Sequence, residues 1–358
     1  MGPLQGVKVV EMAGIGPISF AGMMLADLGA EVTRIERPSK GRLAWGASPV
    51  LDRGRDAREV DLKSPEGVAE VLELIAAAEV LIEGFRPGVM ERLGLGPEEC
   101  LERNPVLVYG RMTGWGQDGR YAHTAGHDIT YLAISGALHM VGEPGRKPVP
   151  PVNLVGDFGG GATYLVVGVL SALLHSRAGG VGQVVDAAIV DGVASLTGML
   201  HGFLGQGAWR DEHGVNLLDG GAPFYDTYRC ADGGWVAVGA LEPQFYAALL
   251  EALGMAGDEE VVNHLDPATW PTIRERFTAK FGERGRDEWH ELFADSDCCV
   301  APVLSMTEAR EDGHNRDRGV FVEVGGIPQP APAPRFSVTE PDPPAPAAAF
   351  DPDAGANP

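Results

Sequence analysis

Three ionisable residues of this chain, His127, Asp157 and Glu242, each stand at or just before a predicted helix start. Asp157 has the most informative neighbours. It lies in Asn153-Leu-Val-Gly-Asp157-Phe-Gly-Gly-Gly161, after a proline-rich extended stretch, and Ala162 to Leu174 reads as a buried apolar helix. A helix N-terminus exposes unpaired N–H groups and the positive end of the macrodipole, and glycines let a ligand approach the backbone closely. The pattern offers either an anion-binding corner or a plain capping Asp. His127 and Glu242 are open to the same two readings, a structural histidine or ordinary N-cap against a group with chemistry to do. By themselves these residues support an α/β enzyme with an anionic ligand.

The elements that must position them follow from hydrophobic periodicity. Val7–Met12 reads as a buried strand, Pro17–Leu28 as a helix with Pro at its first position, and Glu31–Glu36 as a second strand. Arg37–Arg58 is loop-like, Val60–Lys63 a short extended piece, and Ser64-Pro65-Glu66 starts a helix to about Ala78. Glu79–Glu83 and Val106–Tyr109 are further strands, with helices around Arg92 and over Pro97–Arg103 between them. Strands alternating with helices predict a mainly parallel, Rossmann-like sheet, with ligands beyond the strand ends at Arg37, Arg86 and the Gly110–Gly114 loop. Ile129–Ala137 reads as a helix, and Gln183–Val193 as a strand entering a helix that continues to about Leu204. The composition then places a linker at 205–222, a smaller α+β domain at 223–324 opened by a hairpin around Ala231-Asp-Gly-Gly234, and a Pro/Ala-rich, partly disordered segment at 325–358 that returns toward the large domain of residues 1–204.

At 358 residues, 44% hydrophobic and 22% charged, the chain has the composition of a soluble globular protein. The net charge of −22 argues against nucleic acid or an anionic membrane as partner. The apolar run Ala162–Leu174 is shorter than the roughly 20 residues that span a bilayer. Four cysteines without paired spacing point to a reducing cytoplasm, and neither they nor the nine histidines have metal-ligand spacing. Residues 1–120 carry 14 of the 28 basic and 18 of the 50 acidic residues, a net of −4. Within them, Arg34–Lys63 is a local island of eight basic and five acidic residues, which suits a small polyanionic ligand or a solvated loop. A dinucleotide fingerprint is nearly present at Gly14-Ile-Gly16-Pro-Ile-Ser19, but Ser19 replaces the third glycine and Pro17 removes an N–H.

The motifs Ile35–Pro38 (IERP), Asp61–Ser64 (DLKS), Glu83–Gly88 (EGFRPG), Glu91–Gly96 (ERLGLG), Arg111–Gln117 (RMTGWGQ), Ala125–Asp128 (AGHD), Asn153–Gly161 (NLVGDFGGG), Asp219–Tyr228 (DGGAPFYDTY) and Val238–Tyr246 (VGALEPQFY) occur in order, within a likeness that runs from residue 3 to about 336. Together they resemble the α-methylacyl-CoA racemases of the family III CoA-transferase superfamily. That resemblance implies an interlocked homodimer with each active site between the large domain of one subunit and the small domain of the other. It implies an acyl-CoA substrate, with CoA needed only as part of that substrate and no separate cofactor. Arg37, Val60, Asp61, Leu62, Lys63, Gly84, Phe85, Arg86, Arg92 and Gly126 would surround CoA, with Met112, Asp128, Tyr131, Asn153 and Tyr225 also at the substrate. The acid–base pair falls on His127 and Asp157, and a supporting carboxylate on Glu242.

Racemisation next to a thioester carbonyl takes a proton from one face of the carbon and returns one to the other, so two groups must flank it. Imidazole, near 6.5, serves either role; an Asp near 3.9 serves only if desolvation against Leu154, Val155 and Phe158 raises it. The Gly159–Gly161 N–H groups would stabilise the enolate. Asp56, Arg58 and Glu59 depart from the pattern, standing where the resemblance implies an apolar loop. No Ser-Lys-Leu terminus is present, which favours a cytosolic enzyme of bacterial type. The rival readings are a CoA transferase with Asp157 as nucleophile, a non-catalytic acyl-CoA binder and, last, a nicotinamide dehydrogenase.

Overall fold

The computed structural model describes residues 2–38 and 48–347. The chain divides into two compact units, one of Met1–Ala137, Pro151–Gly198 and Arg316–Pro358, the other of Leu138–Pro150 and Met199–Asn315.

The first unit is built on a six-stranded sheet in the order β3-β2-β1-β4-β5-β6. Its strands are β1 (Lys8–Met12), β2 (Glu31–Glu36), β3 (Asp56–Glu59), β4 (Val80–Glu83), β5 (Val108–Thr113) and β6 (Gln183–Ala188). All five pairings are parallel. Each return therefore needs a crossover, and α1 (Pro17–Asp27), α2 (Pro65–Ala76), α3 (Val89–Arg92) and α4 (Pro97–Arg103) lie in those connections. The order reverses between β1 and β4, so the turns after these two strands, at Gly14–Gly16 and Gly84–Arg86, flank the crevice where such sheets take ligands. The start of α2 is capped as its sequence predicts: the Ser64 hydroxyl accepts the Gly67 N–H at 3.0 Å. Val71 and Ile75 of that helix bury their side chains with Val10, Leu81 and Tyr109 of the sheet.

Beyond β5 the chain forms α5 (Asp128–Ile134), a 3₁₀ turn at Ala137–Met140, a π-helical segment at Leu154–Ala162 and, continuous with it, α6 (Thr163–Arg177). The helical run from Leu154 to Arg177 has 24 residues and is long and apolar enough to cross a membrane by length and composition alone. It is longer than the apolar run suggests because glycines 159–161 are helical. It packs on β5, β6 and α1, and leaves Leu154, Val167 and Leu174 exposed on its other side. After β6, α7 (Ile189–Leu196) and α8 (Gly198–Gly205) replace the single predicted helix; they are separated at Thr197, whose hydroxyl turns back to the Ala194 carbonyl at 2.8 Å.

Two strands differ from expectation. β3 occupies Asp56–Glu59, not Val60–Lys63, and all four of its residues are exposed. It is the sheet edge, where charged side chains discourage pairing with another chain and erase the hydrophobic signal. Asp61–Lys63 instead turn into α2, with Asp61 accepting the Lys63 N–H at 3.0 Å. β5 runs to Thr113, so Arg111 and Met112 belong to the strand and not to a ligand loop.

The second unit carries the antiparallel sheet β7 (Tyr225–Arg229), β8 (Trp235–Gly239) and β9 (Val300–Pro302), with the predicted hairpin joining the first two. Helices α9 (Pro243–Ala252), α10 (Trp270–Phe281) and α11 (Arg286–Phe293) close an aromatic core that includes Phe224, Tyr246, Phe277, Phe281 and Trp289. The glycine-rich stretch before β7 is knit by Asp219, which accepts the N–H groups of Gly214, Asn216 and Gly221 at 2.9, 2.7 and 3.1 Å. A hairpin of β10 (Phe321–Val324) and β11 (Ile327–Pro330) belongs to the first unit, although its prolines masked it in the sequence. Gln329 and the Pro330 carbonyl accept from Arg53 at 2.7 and 2.8 Å, and Ala345 accepts the Gly54 N–H at 3.0 Å.

Candidate active site

His127 is the N-cap of α5. The Thr130 hydroxyl accepts the His127 N–H at 3.0 Å and donates to its carbonyl at 2.7 Å, which clamps the backbone. The imidazole makes no capping bond and is exposed. The next residue, Asp128, turns the other way. It is buried, 8% exposed, and its Oδ1 accepts the Asp157 N–H at 2.7 Å; its carboxylate also accepts the Gly156 N–H.

Asp157 is not the cap of its helix. Asn153 holds that position, and Asp157 is the fourth residue of the π-helical segment. Its carboxyl is half-buried and pushed up to about 6, by burial first and the Asp128 carboxylate second, while a hydrogen bond from Asn153 and the nearby His127 pull the other way. The structure thus brings His127, Asp128, Asn153 and Asp157 together. Gly16, at φ 69°, sets the turn after β1 beside them: a Cβ there would lie 3.7 Å from Asp157 Oδ2. Tyr131 joins from the next turn of α5, its phenol raised to about 12 by burial and then by Asp157, with Arg86 opposing. Gly114 and Gly126 make room for it, since a Cβ on either would fall 2.0 or 2.5 Å from its ring carbons.

The glycines after Asp157 have a different task from the one their spacing suggests. A π-helix bonds each N–H to the carbonyl five residues back, so the Gly159–Gly161 N–H groups are directed into the helix and not at an enolate. A Cβ on Gly160 would lie 2.6 Å from Val193 Cγ2, and one on Gly161 would lie 2.9 Å from Ile189 Cγ1. These glycines let the segment close on α7.

The expected CoA residues divide into three groups. Leu62, Lys63 and Arg92 line one open groove of ≈ 610 Å³, floored by Val68, Leu72 and Leu93. Arg37, Gly84 and Arg86 are exposed at the ends of β2 and β4, with Phe85 partly buried between the latter two. The Phe85 N–H donates to Glu83 Oε2 at 2.7 Å, and Glu83 is pushed up to about 7 by burial against the pull of that N–H and Arg111. Val60 and Met112, by contrast, are core residues, 4% and 3% exposed. Arg111 is buried as well, and pairs with Glu83 at 3.0 Å and Glu91 at 2.9 Å.

Part of the basic island is structural. Arg34, Arg53 and Arg55 are buried: Arg34 and Arg55 pair with Glu11 and Asp52, and Arg53 pairs with Asp27 at 2.6 Å. Lys40 and Arg42 lie outside the described residues, and Arg37, Arg58 and Lys63 are exposed. Composition counts charges but does not reveal which are satisfied inside the fold.

In the second unit Glu242 is the exposed N-cap of α9, with no capping bond from its side chain. Its charge helps to raise the Cys299 thiol, after burial. Tyr225 opens β7 and is 37% exposed.

His127 and Asp157 meet at the switch point of a parallel sheet whose flank carries a groove with Lys63 and Arg92: residues 4–357 match CoA-transferase family III, and the chain belongs to that family. It is 45% identical to the alpha-methylacyl-CoA racemase of Mus musculus, over 98% of this chain and 90% of that protein. It is 44% identical to the alpha-methylacyl-CoA racemase of Homo sapiens, over 92% and 86%. Among solved structures, a CAIB/BAIF family protein from Brucella suis superposes with a TM-score of 0.81 at 26% identity, covering 98% of this chain and 97% of that one.

Proposed function

We propose that this protein is a racemase that interconverts (R)- and (S)-2-methylacyl-CoA thioesters. The observation that carries the reading is Asp157, raised to about 6 beside His127, in a chain 44–45% identical to racemases of that name. A carboxyl raised to about 6 can both accept and release a proton near neutral pH, so Asp157 can take the C2 proton while His127 donates, or the reverse. One group removes the proton from C2 and the electron pair moves into the thioester enolate. The conjugate acid opposite then protonates C2 on the other face. Each turnover exchanges the roles of the two groups, which is why neither pKa can lie far from the working pH.

The groove with Lys63 and Arg92 at its rim suits the phosphates of CoA, and its Leu62, Val68 and Leu72 floor suits an apolar segment of the same molecule. Arg86 at the switch point would meet the chain between that groove and Asp157. CoA enters as part of the substrate, and the reaction needs no other cofactor. A homodimer is part of the proposal, with Glu242 of the partner subunit orienting His127. Its support is the apolar surface this chain leaves uncovered: only 44% of the most apolar window in Leu154–Arg177 is buried, and Val152, Leu154, Val167 and Leu174 are 57–73% exposed. The reducing compartment implied by unpaired cysteines is the cytoplasm.

The decisive experiment incubates the protein with one enantiomer of a 2-methylacyl-CoA in D₂O. Deuterium entering C2 with loss of optical activity, and no free acid required, is the expected result. Transfer of CoA to an added carboxylate without exchange at C2 would instead establish Asp157 as a nucleophile and overturn the racemase.

A further inference from the structure

We propose that Asp128 is the positioning residue of the proton-transfer pair: its buried carboxylate, seated on the Gly156 and Asp157 N–H groups, fixes the Asp157 side chain relative to His127. The inference rests on the reading of His127 and Asp157 as that pair. Asp128 is bonded to both partners, through the peptide chain to His127 and through Oδ1 to the Asp157 N–H at 2.7 Å. Rotation of α5 or slippage of the π-helical segment would have to break these bonds.

The seat is shaped for a carboxylate. A Cβ on Gly156 would lie 2.2 Å from Asp128 Oδ1, so only glycine admits the side chain to the helix start. Burial raises the Asp128 pKa, and the two backbone donors oppose that shift by favouring its charged form. Yet Asp128 Oδ2 is buried with no hydrogen-bond partner, an arrangement that costs free energy and is uncommon without a functional reason. Its effect is to hold a negative charge against Asp157. The groups that face Asp157 are Asp128, His127 and Tyr131 from α5 and Asn153 from its own segment, with Arg86 reaching Tyr131. α1 brings the Gly16 backbone to Asp157 and stacks Phe20 on Phe158 at 4.6 Å, and α7 brings the Gly192–Val193 backbone against Gly160. Burial first and the Asp128 carboxylate second keep Asp157 protonatable near neutral pH, which a carboxylate returning a proton to carbon requires.

Asp128→Asn keeps the size and one acceptor oxygen while removing the charge. The expected result is a fall in kcat for racemisation of about tenfold or more, with KM within about twofold, and an acidic limb of the kcat–pH profile displaced below its position near 6. Gly156→Ala, which displaces the carboxylate while leaving Asp128 in place, should lower kcat in the same way. A folded Asp128→Asn with unchanged kcat and pH limb, or with its whole defect in KM, would overturn the proposal and make Asp128 a CoA contact. Should Asp128→Asn not fold, wild-type kcat in folded Gly156→Ala would overturn it equally. The two readings are separable. Wild-type protein that exchanges no deuterium sinks the racemase, whereas the Asp157 carboxyl resonance followed by ¹³C NMR in substrate-free Asp128→Asn still tests the coupling, with titration at lower pH than in wild type expected.

Discussion

Glu11 and Asp128 are both removed from solvent, at 0% and 8% exposure, and each is admitted by a glycine that would otherwise strike it, Gly22 and Gly156. Their company is opposite. Glu11, on the central strand β1, meets the guanidiniums of Arg55 and Arg34; burial pushes its pKa up and these cations pull it down. With Asp52 and the separate Arg53–Asp27 pair they tie the segment after Ser48 to the sheet and, through Gln329, to the C-terminal hairpin. Asp128 meets another carboxylate. One cluster sets its carboxylate among cations and ties an architecture together, although Glu11 Oε1, Arg34 Nε and Arg55 Nε have no hydrogen-bond partner among the described residues; the other sets two carboxylates side by side, which adds to burial in raising Asp157. Perturbed groups of the second kind are the ones that mark chemistry.

The difference can be broken most directly at the proposed acid–base pair. His127→Ala and Asp157→Ala should each lower racemisation by about 10³-fold, read as deuterium uptake at C2, with near-normal thermal unfolding. Near-wild-type exchange in either would remove that residue from the pair. In the ionic cluster the loss should appear in stability instead. Arg55→Ala leaves Glu11 short of its nearest cation, and urea unfolding should show a cost of about 3–5 kcal/mol. The active-site cluster predicts the opposite sign. Asp157 has its folded pKa raised from 3.8 to about 6, so its favourable contribution is complete below 3.8 and is lost as pH rises through 6. Asp157→Asn should therefore raise Tm above pH 6, and the gain should shrink as pH falls toward 3.8; a uniform loss at all pH values would contradict like-charge burial. The smallest effect is expected at the groove, where Lys63→Ala or Arg92→Ala should raise KM for the acyl-CoA by about tenfold and leave kcat unchanged, because exposed phosphate contacts bind ground and transition states alike.

Local pattern alone determined a good deal of this protein. Apolar periodicity placed β1, α1 and β2, the Ser64 cap began α2, the Ala231–Gly234 turn joined β7 to β8, and His127 and Glu242 are the N-caps that their sequence positions suggest. Each of these depends on residues a few places apart. What the tertiary structure decided depends on partners far along the chain. Arg53 could count as a ligand-facing cation until Asp27 and Gln329, 26 and 276 positions away, were seen to enclose it. β3 carried no hydrophobic signal because an edge strand needs none. The Asp157 carboxyl, read first as a cap in a glycine-rich bend, owes its position to a π-helix that closes on α7 and its pKa to burial and, second, to a carboxylate 29 residues earlier. Burial and like-charge proximity are properties of space, not of sequence neighbourhood, so only the folded chain could set them.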